Sequence, residues 1–278
     1  MTAIRDVEYA QVGGKSLRLD LYVPTQPGAP RPLIVWIHGG GWLGGDKGGC
    51  PAVPLVPRGY VVASINYRLS GEAIFPAQIE NCKGAIRFLR ASAGKHGIDP
   101  ERIGVWGASA GGQLVALLGT SGGVADLEGT VGGNLDQSSK VQAVADFCGP
   151  ADFALFFQTI TPNAVKPLRQ LFGGEATEER VQTLARQASP VTYASAHAPP
   201  FLIVHGDKDD TVPLSQAQAL DKALRAAKAH VTLHVVAGAG HGALNPDTFK
   251  LTSDFFDQHL RPSTPSTPGR SSTSRPAR

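Results

Sequence analysis

The chain has 278 residues, 42% hydrophobic and 18% charged, a globular composition that suffices for one large domain or two small ones without disulfide staples. Its formal charge of +3 comes from the last stretch, RPSTPSTPGRSSTSRPAR, where four arginines meet no acid; residues 1–260 are left slightly negative, with no overall bias toward nucleic acid or membrane. No apolar run nears the roughly 18 residues of a membrane span, and MTAIRDVEYAQ has no apolar signal core, so the expected compartment is cytoplasmic, or extracellular where a signal has been trimmed.

In chain order, SLRLDLYVP (16–24) alternates with period two, as an antiparallel strand does. From residue 33 onward come short β-branched runs: LIVWIH, YVVASINY, RIGVWGAS, VQAVADFCG, FLIVHGD and VTLHVVAG, each read as a buried strand. Between them Ile79, Cys82, Ile86 and Leu89 fall at helical spacing, as do Ala217, Leu220, Leu224 and Ala227, and Phe249, Phe256 and Leu260 mark a closing helix. This alternation predicts an α/β fold over 1–260, a mostly parallel sheet with helices on both faces. Two excursions interrupt it. One is the Gly-rich 119–140; the other, 150–190, carries Phe153, Phe156 and Phe157 and is expected to be a cap or insertion. Both join strand ends, where open α/β sheets take their ligands, so both are expected to shape specificity. The tail 261–278 has no side chain able to build a core and is expected to be disordered, with a weak electrostatic tether as the alternative.

HGGGWLGGDKGG, directly after LIVWI, admits three readings. Gly39, Gly41 and Gly44 satisfy the G-x-G-x-x-G of a dinucleotide loop, but that loop needs a helix behind it and an acid about 20 residues on. Here PAVPLVP follows, whose prolines oppose a regular helix, and the next strand ends SINYR without a carboxylate. A phosphate loop fails as well, because Asp46 precedes Lys47 where glycine belongs and Gly48 follows where Ser or Thr belongs. A chemically idle turn predicts nothing elsewhere in the chain. An oxyanion hole, whose bare backbone N–H groups face a developing negative charge, requires a nucleophile, a carboxylate and a histidine at successive later strand ends.

All three are there. VWGASAGGQLVALL holds G-x-S-x-G at 107–111, entered by a strand and left by an Ala/Leu-rich helix, so Ser109 is placed at a sharp turn against a helix N-terminus. HGDKDDTVP puts Asp207, Asp209 and Asp210 just past a strand, and GAGHG puts His241 past the last one. Each loop follows a parallel strand, so all converge on one edge of the sheet.

With these motifs the chain resembles an α/β-hydrolase. HGGGW, GDKGG, VWGASAGG, HGDKDDTVP and GAGHG are similar to segments of small serine esterases, in the feruloyl-esterase-like and acetyl-xylan-esterase-like branch related to the hormone-sensitive-lipase esterases, over about residues 5–260. The resemblance implies Ser109 as nucleophile, His241 as base and Asp209, the fourth residue after His205, as orienting acid, with Asp210 its rival. It also implies an oxyanion hole from the N–H groups of Gly40, Gly41 and Ala110. Trp42, Phe153 and Phe156 are candidate walls of a substrate pocket, ordinary packing being the alternative for the phenylalanines. The implied activity is hydrolysis of small acyl or aryl carboxylic esters, including feruloyl or acetyl groups on plant polysaccharide, with a small-molecule substrate, no cofactor and no metal. Arylformamidases carry a similar HGGGW, which keeps an amidase open. A non-catalytic binding member of the fold is the reading from a different class.

Of the other histidines, His38 and His205 are expected to brace loops, and the rest to be structural or superficial. Cys82 and Cys148 fit apolar patterns; Cys50, in a Gly/Pro loop, is the one with a route to solvent, and a Cys50–Cys82 bridge stays compatible with the sequence. The oligomeric state is not legible.

Overall fold

The computed structural model describes residues 1–159, 162–174 and 177–261, without the side chains of 162–164. The expected disordered tail lies outside the described residues, Arg261 excepted. Among those residues the strands are β1 (Thr2–Val12), β2 (Lys15–Val23), β3 (Arg31–Ile37), β4 (Val61–Ile65), β5 (Ile98–Ala108), β6 (Ala143–Phe147), β7 (Phe201–Gly206) and β8 (Val231–Val236). The helices are α1 (Ala77–Ala91), α2 (Ala93–His96), α3 (Ala110–Thr120), α4 (Ala125–Glu128), α5 (Phe153–Gln158), α6 (Pro162–Leu171), α7 (Glu178–Ala188), α8 (Ser215–Ala226) and α9 (Pro246–Leu260). PAVPLVP forms only a short 3-10 turn, as its prolines require.

The strands make one sheet in the order β1-β2-β4-β3-β5-β6-β7-β8. β1, β2 and β4 pair antiparallel, and β4 through β8 run parallel across the rest. The central strands read as unbroken apolar runs because both faces are covered. In β3, Leu33, Val35 and Ile37 belong to one core cluster with Ile79 of α1, Leu114 of α3 and Leu220 of α8. Its alternate residues, Ile34 and Trp36, pack on the other face with Leu55, Val56 and the Phe256 and Leu260 of α9.

Three features depart from the sequence reading. β1 is an additional edge strand, hidden in the sequence because most of its residues face water and a bulge with Asp6 at φ 55° interrupts its pairing. Cys50 is buried, and all three cysteines are free: Cys50 and Cys82 belong to core clusters on opposite faces of the sheet. The excursion 119–140 runs from the C-terminus of α3 to the start of β6, the edge of the sheet away from the strands' carboxyl ends. It packs on α1, where Arg87 donates to the carbonyls of Glu128, Val131 and Gly133, and Arg90 donates to those of Ser138 and Lys140.

Candidate active site

The turn that carries Ser109 is shaped by glycine. Ser109 holds φ 57°, ψ −121°, outside the comfortable range of an L-residue, and serves as the N-cap residue of α3. A Cβ at Gly107 would come within 2.3 Å of the Gly111 carbonyl oxygen, and one at Gly111 within 2.1 Å of the Ile37 oxygen. The turn therefore closes only with glycine at both positions. Ser109 N–H donates to the Phe147 carbonyl at 2.8 Å and its carbonyl accepts from Gln113 at 3.0 Å, so neighbouring elements fix the strained backbone.

The loop after β3 bends beside it. Gly40 and Gly41 have φ of 106° and 59°, and Trp42 shares the left-handed region at 58°. His38 stacks on Tyr67 with ring centroids 4.4 Å apart, and the Tyr67 hydroxyl donates to the His38 carbonyl. The Trp42 carbonyl accepts from Ser70 N–H at 2.7 Å, while its indole N–H donates to Gln113 Oε1 at 3.1 Å. Gln113 in turn donates to the Ala188 carbonyl, tying this loop, α3 and the end of α7 together. Lys47 serves as an anchor: its ammonium pairs with Asp20 at 2.8 Å and Asp6 at 3.0 Å.

His241, after β8, receives its partner from the loop after β7. Asp209 Oδ2 lies 2.8 Å from His241 Nδ1. The other oxygen, Oδ1, accepts from the Thr211 and Val212 amides at 2.9 and 2.8 Å. Asp209's side chain is fully buried. Burial opposes its charge, but hydrogen bonds from His205, His241 and the Val212 and Thr211 amides outweigh that cost and hold the carboxyl far below the ordinary range. Asp210 is exposed and meets the Thr211 hydroxyl, and Asp207 caps the Gly238 amide. Neither of them makes the contact to His241 that Asp209 makes.

Gly40, Gly41, Trp42, Ser109 and His241 line one cavity of about 390 Å³, whose further walls are Pro150, Phe156, Pro167, Leu168, Thr211 and Val212. Ala110, the first residue of α3, is buried next to Ser109. Phe156 reaches the cavity. Phe153 does not; it stands behind Trp42 at 5.9 Å between ring centroids and packs edge-on to Phe172. Pro150, Pro167, Leu168 and Val212 carry no motif, and their placement depends on the path of 150–190 and of the Asp209 loop.

His205 braces its loop as expected, through Nε2 and the Val212 carbonyl at 2.8 Å, and also lies 3.3 Å from Asp209 Oδ2. Its signal in the sequence is the spacing of four residues to Asp209. Among the described residues Cys148, His205 and Asp209 bring potential metal donors within 4.8 Å of one another. Burial pushes the Cys148 thiol up to about 12, so it stays protonated, and His205 Nε2 and the Asp209 carboxylate are already engaged in hydrogen bonds. No helix among the described residues is long and apolar enough to cross a membrane.

The BD-FAE family model matches residues 19–224. A truncated form of a carbohydrate esterase from gut microbiota superposes with a TM-score of 0.85 and 35% identity, covering 93% of this chain and 96% of that one. An acetyl ester-xyloside bifunctional hydrolase from Caldicellulosiruptor lactoaceticus gives 0.74 and 26%, covering 88% of each. Esterase LipC of Mycobacterium tuberculosis is 32% identical over 78% of this chain and 54% of its own length, so the chain spans about half of that curated relative. A family match over residues 19–224, an eight-stranded and mostly parallel sheet, and a superposition on a carbohydrate esterase over 93% of the chain leave one conclusion: it has the α/β-hydrolase fold and belongs to the BD-FAE family.

Proposed function

We propose that the chain is a serine esterase that cleaves small acyl or aryl carboxylic esters by two-step acyl transfer. His241 takes the Ser109 proton as the hydroxyl attacks the ester carbonyl. The oxyanion then lies against the N–H groups of Gly40, Gly41 and Ala110, with the N-terminus of α3 adding a favourable field. His241 protonates the leaving alcohol, and water repeats the sequence to free the acid. Asp209 keeps the proton on Nδ1, leaving Nε2 for the serine, and steadies the imidazolium. Because the carboxyl is held so low, it is ionised throughout the working range.

The observation that carries this reading is the single cavity shared by Ser109, His241, Gly40 and Gly41, with Asp209 hydrogen-bonded to the far nitrogen of the imidazole. The apolar walls Trp42, Phe156, Leu168 and Val212 favour an acyl or aryl group over a charged one. The names of the similar proteins, a carbohydrate esterase and an acetyl ester-xyloside hydrolase, support acetyl esters of carbohydrates as the natural class.

Turnover of p-nitrophenyl acetate, methyl ferulate and N-formylkynurenine, compared on the same protein, tests the bond type; a strong preference for the last would replace the esterase with an amidase. Ser109→Ala is expected to cost on the order of 10⁶ in kcat, and Asp209→Asn roughly 10⁴. Asp210→Asn should leave kcat nearly intact, and a larger loss there than at Asp209 would reassign the acid.

A further inference from the structure

Behind the triad two buried polar atoms have no hydrogen-bond partner: His205 Nδ1 and Asp146 Oδ2. Asp146 lies on β6 in register with Ile203 of β7, so it and His205 share one face of adjacent strands. Burial raises the Asp146 carboxyl, and His205 is the side chain whose electrostatic influence opposes that rise. The remaining oxygen, Asp146 Oδ1, accepts from Gly149 N–H at 3.0 Å beneath the turn that carries Ser109. Both side chains are sealed from solvent. A buried polar atom left unpaired costs about 1–3 kcal/mol; the two make no direct hydrogen bond, and a bridging water between them would satisfy both.

The tautomer of His205 follows from its neighbours. Nε2 faces two acceptors, the Val212 carbonyl at 2.8 Å and Asp209 Oδ2 at 3.3 Å, so Nε2 carries a proton. That leaves Nδ1 for Asp146. Burial raises the Asp146 carboxyl to about 6, in the range where a proton is readily shared with an imidazole. The groups facing His205 are then Asp146 on β6, Cys148 just after it, and Asp209 after β7, with His241 beyond Asp209. The thiol stays neutral, so the traffic of charge runs along Asp146, His205, Asp209 and His241.

We propose that Asp146 and His205 form a second buried acid–imidazole couple, and that His205 is a positioning residue whose Nε2–H holds Asp209 from behind and sets the proton affinity of His241. This rests on the reading of Ser109, Asp209 and His241 as the hydrolytic triad. A donor at the back of Asp209 draws negative charge away from His241. Its loss concentrates that charge on the imidazole side, stabilises the imidazolium and moves the acid limb of kcat/KM to higher pH.

The test is kcat/KM of the full chain on p-nitrophenyl acetate from about pH 5 to 9. His205→Leu is expected to raise the acid midpoint by roughly half a unit to one unit. Asp146→Asn, nearly isosteric, offers Nδ1 an amide donor, keeps His205 neutral, and should raise the midpoint by less. His205→Gln, which retains an N–H at the reach of Nε2, should return it toward the parent value. An unmoved midpoint in Asp146→Asn and His205→Leu overturns the proposal, as does a His205→Gln profile displaced as far as that of His205→Leu. If His205→Leu does not fold, the Asp146→Asn profile alone decides. Ser109→Ala on the same substrate separates the two levels: retained turnover there sinks the triad itself, whereas lost turnover with unmoved profiles sinks only the couple.

Discussion

The two excursions that flank β6 have similar origins and opposite fates. Residues 119–140 enter β6 from the amino-end side and are nailed down by buried cations of α1: the fully buried Lys83 reaches Glu128 at 2.8 Å and the Ser121 carbonyl at 2.7 Å, while Arg87 and Arg90 collect loop carbonyls. Residues 150–190 leave β6 at its carboxyl end and supply Pro150, Phe156, Pro167 and Leu168 to the cavity. In a parallel sheet only the carboxyl ends gather the loops that carry chemistry. An insertion at that end can choose substrates, and one at the other end can only add stability. The side of the strand decides, whatever the length or glycine content.

Breaking the stability side of this comparison should give the largest effect. Glu128 takes hydrogen bonds or ion pairs from Lys83, Arg87, Ser139 and the Gly123 amide. Glu128→Ala strands two cations that are almost wholly buried. Because Glu128 itself is 28% exposed, the cost falls at the low end for a broken buried pair, about 3 kcal/mol, or roughly 6–10 °C in Tm. Thermal melts and kcat/KM measured on one preparation would check it: Tm falls, kcat/KM of the folded protein stays put. A change in acyl preference would give 119–140 a part in the site.

The opposite test shortens a cavity wall. Leu168→Ala shortens a branched side chain that is buried and lines the cavity. The freed volume should shift the kcat/KM ratio of p-nitrophenyl butyrate to acetate by about tenfold toward the longer chain, alongside a stability loss of about 2 kcal/mol or more. Both variants lose stability, but only this one changes what is cleaved. An unchanged ratio would remove α6 from the specificity wall.

Much of this frame was legible in the sequence. The β-branched runs became β3 to β8, and β3 to β7 are apolar because both faces are covered; β8, expected to be buried, is instead an edge strand with Val231 its one buried residue. The G-x-S-x-G turn was legible for a related reason: backbone strain at Ser109 tolerates few residues around it, which leaves a local motif. Among Asp207, Asp209 and Asp210 only the family resemblance favoured Asp209, and its contact to His241 comes from the fold. β1 was not, since an edge strand with most residues in water shows no apolar period. Nor was the side of β6 on which each excursion falls, which depends on where α3 ends and on Arg87 and Arg90 meeting carbonyls over forty positions away. Pro167 and Leu168 reach the cavity only through tertiary packing, and nothing local marks them.

The smallest expected effect concerns acid, and it asks whether the two ends of the molecule titrate apart. Burial works against the charge on Glu128, but Lys83, Ser139 and the Gly123 amide outweigh it and leave the carboxyl below its ordinary value near 4.5. A carboxyl depressed on folding stabilises the protein above its unfolded value, and that contribution disappears as pH falls through the lower, folded value. Asp209 is held far lower by its four donors, so its contribution persists into more acidic solution. Glu128→Gln should therefore melt below the parent protein at pH 7, and the two Tm curves should converge as the pH drops below about 4.5. The gap between the parent and Asp209→Asn should close only at still lower pH. Tm recorded against pH for the three proteins checks the order; convergence of the Asp209 pair first would mean that the carboxylate beside the cavity is held less firmly than the one under the structural excursion.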